Sequence, residues 1–317
     1  MNIIYFVAQQ TMFFAIPLLI VALGGMFSER SGIINIALEG IMVIGAFAGI
    51  AFINVTQNSM SGQVLLLLAV LVAGISGGIF SLFHAFASIK LKADQTISGT
   101  ALNMFAPAFA IFVARMVQGV QQVQFTDTFH ISKVPFLGDI PVIGPILFQN
   151  SYITTYVGLL IALLSWLIIN HTKFGLRLRS CGEHPQAADS VGINVYKIRY
   201  AGVFISGILG GIGGLAFVVP TSTNFNATVA GYGFLALAVL IFGQWRTKRI
   251  FFSAFFFGIM KTFASAYSGI PVLKDLPISN EIYKMIPYIA TLIVLTFSSK
   301  NSQAPRAEGI PYDKGSR

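Results

Sequence analysis

The polar side chains inside long apolar runs are the groups through which this chain can do chemistry. Asn35 and Glu39, in the stretch INIALEG, are four residues apart and are predicted to share one face of a helix. A carboxylate among lipid chains is costly, so this face should look into protein or a water-filled cavity. We interpret it as a gate or a clamp between helices, and a neutral glutamic acid bonded to nearby backbone is the alternative.

A second polar group opens the apolar run at residues 96–118. Gln95, Gly99 and Asn103 line one stripe of a predicted helix, and Ser98 lies beside them. Amides on one face suit the lining of a path for a polar solute, although hydrogen bonds between helices would use the same residues. Lys261 lies about 12 residues, or roughly 18 Å, into its own run, so it should meet an acceptor or cavity water.

These groups do not form a catalytic constellation. The sequence contains no nucleotide-binding glycine loop, no zinc-ligand spacing and no dinucleotide fingerprint, so we expect neither a metal nor a cofactor. Cys181 is the only cysteine and has no histidine–aspartate arrangement beside it. Glu39 is the only clear deep carboxylate, which argues against a proton or sodium relay. A transport subunit is therefore favoured over an enzyme.

The composition of the chain indicates the environment in which these residues lie. Hydrophobic residues make up 55% of the chain, charged residues 10%, and the mean hydropathy is +0.78, which predicts an all-α integral membrane protein. We expect a transmembrane domain over 1–300 and a tail over 301–317. The predicted spans are nine, at 3–25, 33–54, 62–89, 96–118, 152–170, 198–219, 229–245, 249–268 and 283–299.

The positions of the basic residues predict the orientation. Most of the 20 basic residues fall in one set of loops, which the positive-inside rule assigns to the cytoplasm, with the N-terminus outside and the C-terminus inside. Lys133, Lys274 and Lys284 stay on the outer side. The cytoplasmic set is Arg30, Lys90, Lys92, Lys173, Arg177, Arg179, Lys197, Arg199, Arg246, Lys248, Arg249, Lys300, Arg306, Lys314 and Arg317. The +9 net charge thus follows membrane topology and does not indicate nucleic acid.

Residues 171–199 form the one long charged island between apolar runs. Pro185 suits a first helical position, Glu183 suits the positive end of a helix, and Gly192 suits a left-handed end, so we predict a short helix here. A basic loop with such a helix can dock a soluble cytoplasmic partner, and an ordinary solvated loop is the alternative. On the outer side, residues 119–151 are rich in proline and glycine and either cover a vestibule or re-enter the membrane.

Two glycine-rich stretches resemble each other: AGISGGIFSL (73–82) and SGILGGIGGL (206–215). They run in opposite directions in the predicted topology, as an inverted repeat would, but glycine-mediated packing alone explains the likeness.

Several segments in order along the chain resemble one family. FSERSGIINIALEGIMVIGAFAG (27–49), KADQTISGTALNMFA (92–106) and FGLRLRSCGEHPQAADSVGINVYKIRYAGVFISGILGGIGGLA, which begins at Phe174, resemble ABC importer permeases of the branched-chain amino acid, simple sugar and nucleoside superfamily. GYGFLALAVLIFGQW (231–245) and the tail APRAEGIPYDKGSR (304–317) are similar to its shorter nucleoside permease. Lys92 and His184 depart from the usual arginine and asparagine.

The resemblance implies a specific assembly. The chain would pair with a second, different permease in a bacterial cytoplasmic membrane, with an ABC ATPase inside and a substrate-binding lipoprotein outside, and would carry nucleosides by alternating access. A helix around 183–191 would be the coupling helix, with small alanines allowing close approach. The implied coupling residues are Glu183, His184, Pro185, Ala187, Ala188, Val191 and Gly192.

Other functions stay open on the sequence alone. A permease for ribose-like sugars or branched-chain amino acids would use the same fold. A secondary transporter would need no ATPase, and a membrane enzyme would need a catalytic set that the chain lacks. Asn35, Glu39, Gln95, Ser98, Asn103 and Lys261 are the candidate pathway residues for a small polar solute.

Overall fold

Apolar helices dominate the architecture. The computed structural model describes residues 3–126, 129–267, 279–298 and 303–315. Within these residues the α-helices are α1 (Ile3–Glu29), α2 (Leu38–Thr56), α3 (Gly62–Ala85), α4 (Gln95–Gln118), α5 (Ile153–His171), α6 (Lys173–Glu183), α7 (Pro185–Ser190), α8 (Val195–Thr221), α9 (Tyr232–Phe242), α10 (Thr247–Ala266) and α11 (Asn280–Ser298). The short strands are β1 (Val123–Gln124), β2 (Ile131–Lys133), β3 (Gln149–Ser151) and β4 (Asn224–Phe225).

Among the described residues, seven helices are long and apolar enough to cross a membrane: α1 to α5, α8 and α10. This agrees with the all-α, polytopic fold predicted from composition. The predicted span 229–245 differs, because α9 has 11 residues and so a length of about 16 Å, roughly half of a hydrocarbon core. Lys274, Lys300, Arg317 and the ends of the last two predicted spans lie outside the described residues.

Helices α1 and α8 form the centre of the bundle. Their apolar windows are 89% and 83% buried, whereas that of α4 is 22% buried and that of α5 28%. Helix α8 packs against α1, α2 and α3, and α1 also contacts α5, α9 and α10. Because both central helices are covered on all sides, α4 and α5 keep the faces that meet lipid or another subunit.

The two glycine-rich stretches pack directly against each other. They lie on α3 and α8, and a Cβ added to Gly77 would lie 2.5 Å from the Gly207 oxygen and 2.8 Å from the Gly211 Cα. Backbones this close have no room for side chains. The contact between the two stretches therefore requires small residues in both.

The connection between α4 and α5 is a cover of short elements. Strand β1 pairs with β4, and β2 pairs with β3, both antiparallel. The Gln9 amide of α1 donates to the Pro145 oxygen at 2.7 Å, which fixes the cover to the bundle. In the described part of 119–151, the two helical turns, Leu137–Asp139 and Gly144–Phe148, are too short to cross the membrane.

Candidate functional site

A break in the helical backbone separates α1 from α2. Residues 30–37 form turns and irregular backbone, and Gly32 has a φ of +97°, which glycine adopts readily. The predicted span at 33–54 therefore becomes a helix over Leu38–Thr56. Non-helical backbone at membrane depth requires hydrogen-bond partners from the protein.

Amide side chains on one face of α4 supply some of these hydrogen-bond partners. Gln95 Oε1 accepts from the Ile34 nitrogen at 2.7 Å. Asn103 Nδ2 donates to the Ile36 oxygen at 2.8 Å, and its Oδ1 accepts from the Gly40 nitrogen at 2.7 Å. Gln95 and Asn103 thus share a helix face as predicted, but their side chains hydrogen-bond the backbone of residues 34–40 instead of lining an open path.

Helices α3 and α8 complete the set of partners. His84 Nε2 donates to the Ile34 oxygen at 2.8 Å, which leaves Nδ1 to accept from the Ser98 hydroxyl, also at 2.8 Å. Asn35 Nδ2 donates to Ser206 Oγ at 2.8 Å. Sequence reasoning missed His84 and Ser206. The only signals for them were a lone histidine in an apolar helix and a serine that opens the glycine-rich stretch of α8.

Glu39 binds the start of α9. Its Oε1 accepts from the Gly231 nitrogen at 2.9 Å and its Oε2 from the Gly233 nitrogen at 2.6 Å. The carboxylate thus satisfies two orphan donors at the positive end of a helix. The expected contact with protein instead of lipid is observed. The expected helix face shared by Asn35 and Glu39 is wrong, because Asn35 precedes α2.

The length of α9 places this contact deep in the molecule. At the other end of α9, the Trp245 indole donates to Glu29 Oε2 at 2.5 Å, where α1 ends. About 16 Å of helix separates the two contacts. Glu39 therefore lies about the length of α9 away from the end of α1, at a point where α2 and α9 both begin.

Lys261 is not part of this cluster. It lies 5.5 Å from the centre of the Tyr232 ring, a cation–π distance, and lines a cavity of about 410 Å³. No acceptor among the described residues hydrogen-bonds its ammonium group. The other lining residues are Gln10, Phe13, Phe14, Phe217, Pro220, Thr221 and Ser265.

A second cavity, of about 500 Å³, continues from Pro220 and Thr221 toward the cover of short elements between α4 and α5. Its walls combine rings with hydroxyl groups: Phe125, Phe129, His130, Tyr152, Ser222 and Thr223. Aromatic faces next to hydroxyls and an amide can hold a neutral solute that has a flat ring and hydroxyl groups. Of the residues that line the two cavities, Lys261 is the one among the candidate pathway residues of the sequence analysis.

The charged island folds as two helices, α6 and α7. Pro185 is the first residue of α7, the His184 ring caps it by accepting from the Ala187 nitrogen at 3.2 Å, and Gly192 has a φ of +84°. The predicted short helix is therefore confirmed. Glu183 ends α6 and pairs with Arg30 at 3.6 Å, so it does not serve the start of α7 as expected.

Only part of α7 is available to a partner. Ala187 and Gly192 are exposed, and Val191 is 75% exposed. Ala188 and Pro185 are buried, so the expectation that they meet a partner is wrong. The reason is that α7 lies on its own protein through these two residues.

The C-terminal tail explains why Ala188 is buried. Tyr312 packs with Cys181, Ala188 and Val195 in one apolar cluster. The tail backbone joins both neighbouring regions, because the Ala307 nitrogen donates to the Gly182 oxygen at 2.8 Å and the Gly309 nitrogen to the Gly32 oxygen at 3.2 Å.

Charged groups extend the contact of the tail. Arg199, 1% exposed, donates to the Ile310 oxygen at 3.0 Å, so it cannot contact a partner as a surface arginine would. Lys92 pairs with Asp313 at 2.6 Å and Lys314 with Asp189 at 3.7 Å. The tail thus connects α6, α7 and α8 with the break between α1 and α2.

Burial makes Cys181 a reporter of this contact. It is fully buried, and burial raises the pKa of its thiol to about 11. Since the thiolate is the reactive form, a maleimide at pH 7.5 should label native Cys181 very slowly. Tyr312→Ala should speed labelling at least about tenfold by uncovering the thiol. Tyr200→Ala is the matched control, and equal rates in both variants would contradict the packing of the tail.

These features define a class of protein: a polytopic membrane protein with a break between two core helices and a short, partly exposed helix, α7, in its charged segment. Residues 7–295 match the family described as branched-chain amino acid transport system / permease component. The chain belongs to this family, which confirms the resemblance seen in its sequence. No solved structure matches the chain.

Individual relatives refine the comparison. The chain is 44% identical to the guanosine ABC transporter permease protein NupQ of Bacillus subtilis, over 100% of this chain and 99% of the relative. It is 40% identical to the nucleoside ABC transporter permease protein NupC of Lactococcus lactis, over 99% and 98%. It is also 25% identical to the B. subtilis guanosine ABC transporter permease protein NupP, over 89% and 78%.

Proposed function

We propose that this chain is a membrane permease subunit of an ATP-driven importer that carries nucleosides across a bacterial cytoplasmic membrane. The observation that carries the proposal is its similarity, over nearly the whole length of both chains, to two permeases named for guanosine and nucleosides. The chain itself supplies no nucleotide-binding motif, so a partner ATPase hydrolyses ATP.

The orientation that we propose has the N-terminus outside and the C-terminus inside, with nine crossings. In this count of nine, the segment 222–231, which contains β4, and α9 cross the membrane together, and α11 is the last crossing. The basic loops support this assignment, because they gather at the ends of helices that also carry α6, α7 and the tail.

The assembly that we propose contains two different permeases, cytoplasmic ATPases and an external binding lipoprotein. Similarity to both NupQ and NupP of one organism supports a pair of unlike subunits. The exposed face of α7, with Ala187 and Val191, is the surface that we assign to the ATPase. Closure of the ATPases would move α7 and, through the tail, the break at residues 30–37.

The solute path that we propose begins in the two outer cavities. Phe14 and Phe217 offer ring faces, and Gln10 and Thr221 offer hydrogen bonds, which suits a base and its sugar. No carboxylate lines either cavity in the described part of the chain. A neutral solute therefore fits better than a zwitterion whose ammonium group would lack a counter-ion.

Uptake by the complete reconstituted importer tests the proposal. Labelled guanosine or another nucleoside should accumulate inside proteoliposomes only when ATP is present on the side of the ATPase subunits. Excess unlabelled nucleoside should compete for this uptake, whereas ribose and leucine should not. Uptake of ribose or leucine without any nucleoside would overturn the nucleoside assignment. Uptake that needs no ATPase would overturn the importer assignment.

A further inference from the structure

A basic cavity lies between the ends of α1 and α5, the side of α6 and the start of α10. It has a volume of about 650 Å³ and is open to the surface. No acidic residue lines it within the described chain. Two tryptophans, Trp166 and Trp245, and five cationic side chains do: Arg30, Arg179, Arg246, Lys248 and Arg249.

Most of this positive charge is not neutralised. Arg30 lies 3.6 Å from Glu183 and also donates to the Trp245 oxygen at 3.0 and 3.2 Å. Across the residues that the structure describes, the other four cations have no carboxylate within 4.0 Å. Like charges so close together repel each other unless an anion lies between them, so the cavity attracts a group with several negative oxygens.

An apolar groove continues from this cavity between α5 and α10. It has a volume of about 380 Å³ and shares Trp166, Thr247 and Lys248 with the cavity. Leu159 is seven residues before Trp166, so the groove runs about 10 Å along α5 into its apolar part. The other walls are Ala162, Leu163, Phe251 and Phe252.

A basic cavity that continues into an apolar groove is complementary to an amphiphile, which has a charged head group and an apolar chain. We propose that the cavity and groove together bind one anionic phospholipid of the cytoplasmic leaflet. Its phosphate lies among the arginines, and an acyl chain lies between Leu163 and Phe252. Trp166 lies at the junction, where indole rings favour the membrane interface. This inference rests on the proposed orientation of the helices and not on the solute.

Other occupants account for only half of the site. A soluble polyphosphate would use the cations but leave the groove without a function. A helix of the second permease would fill the groove but would not need five cations beside it. The continuity of charge and apolar surface therefore favours a lipid.

The test measures lipids that stay bound to the assembled importer after extraction, by native mass spectrometry, with cardiolipin, phosphatidylglycerol and phosphatidylcholine supplied together. The native complex should retain the anionic lipids. Arg246→Gln with Arg249→Gln should weaken retention roughly 30-fold, given about 1 kcal/mol for each cation. Leu163→Trp, which fills the groove, should also lower retention.

Matched controls use exposed residues outside the site. Lys173→Gln with Arg177→Gln removes two charges from α6, and Leu160→Trp adds an indole elsewhere on α5. Both should retain lipid like the native complex. Equal loss in control and test variants would overturn the proposal. So would inorganic pyrophosphate that binds the cavity independently of Leu163→Trp while no lipid is retained, or a Leu163→Trp variant that loses the second permease instead of lipid.

Discussion

Replacing Glu39 by leucine is expected to abolish transport and to reduce the amount of folded protein. The change leaves the Gly231 and Gly233 N–H groups without acceptors at the positive end of α9. Hydrogen bonds to a charged group contribute about 1.5–3 kcal/mol each, so about 3–6 kcal/mol is lost. Membrane protein levels and ATP-dependent uptake in proteoliposomes measure the two effects.

Glutamine at position 39 removes the charge and one of the two acceptor oxygens but keeps the size of the side chain. An amide offers one acceptor oxygen, so Glu39→Gln should keep one of the two bonds and show an intermediate loss. The matched control is Glu281→Leu, which removes an exposed carboxylate from the first turn of α11. Native transport in Glu39→Leu would show that the bonds to α9 are dispensable.

Ala187→Arg is expected to uncouple ATP hydrolysis from transport while the protein still inserts and folds. Ala187 is exposed on α7, so a long cation there meets the partner instead of the protein's own core. Extra volume in a packed interface costs about 1–3 kcal/mol, which weakens docking roughly 5- to 150-fold. Substrate-stimulated ATPase activity of the complex measures this loss.

Two further variants serve as comparisons for Ala187→Arg. Ala188→Arg should lower the amount of folded protein, because it places a charge in the cluster with Tyr312. Asn58→Arg adds the same side chain to the exposed loop between α2 and α3 and should behave like the native chain. If Ala187→Arg keeps full ATPase stimulation and uptake, α7 is not the docking helix.

Local signals were sufficient to predict some of the fold. Long apolar runs predicted most spanning helices, and Pro185 with Gly192 predicted α7, because each of these depends on neighbouring residues alone. The polar residues Asn35, Glu39, Gln95, Ser98 and Asn103 were also recognised, and the structure brings all five to the break or to the start of α9.

The contacts that these polar residues make could not be predicted from the sequence. Side chains from α3 and α4 hydrogen-bond the backbone of the break at residues 30–37, and Ser206 of α8 accepts from the Asn35 side chain. The sequence predicted a full span over 229–245, yet its helix α9 covers only Tyr232–Phe242 and starts where Glu39 binds it. Ala188 faces inward because of Tyr312, more than a hundred residues later in the chain.

The contacts of the tail also set an order of events during synthesis. Residues 303–315 leave the ribosome after every described helix has been made, and domains generally take shape as the chain emerges. Until then Arg199 lacks its acceptor at Ile310, and Cys181 and Ala188 lack the cover of Tyr312. A chain that stops after α11 would therefore enter the membrane with an unsupported α7. Insertion of the helices and support of α7 are therefore separate in time, and only chains that include residues 303–315 complete the second step.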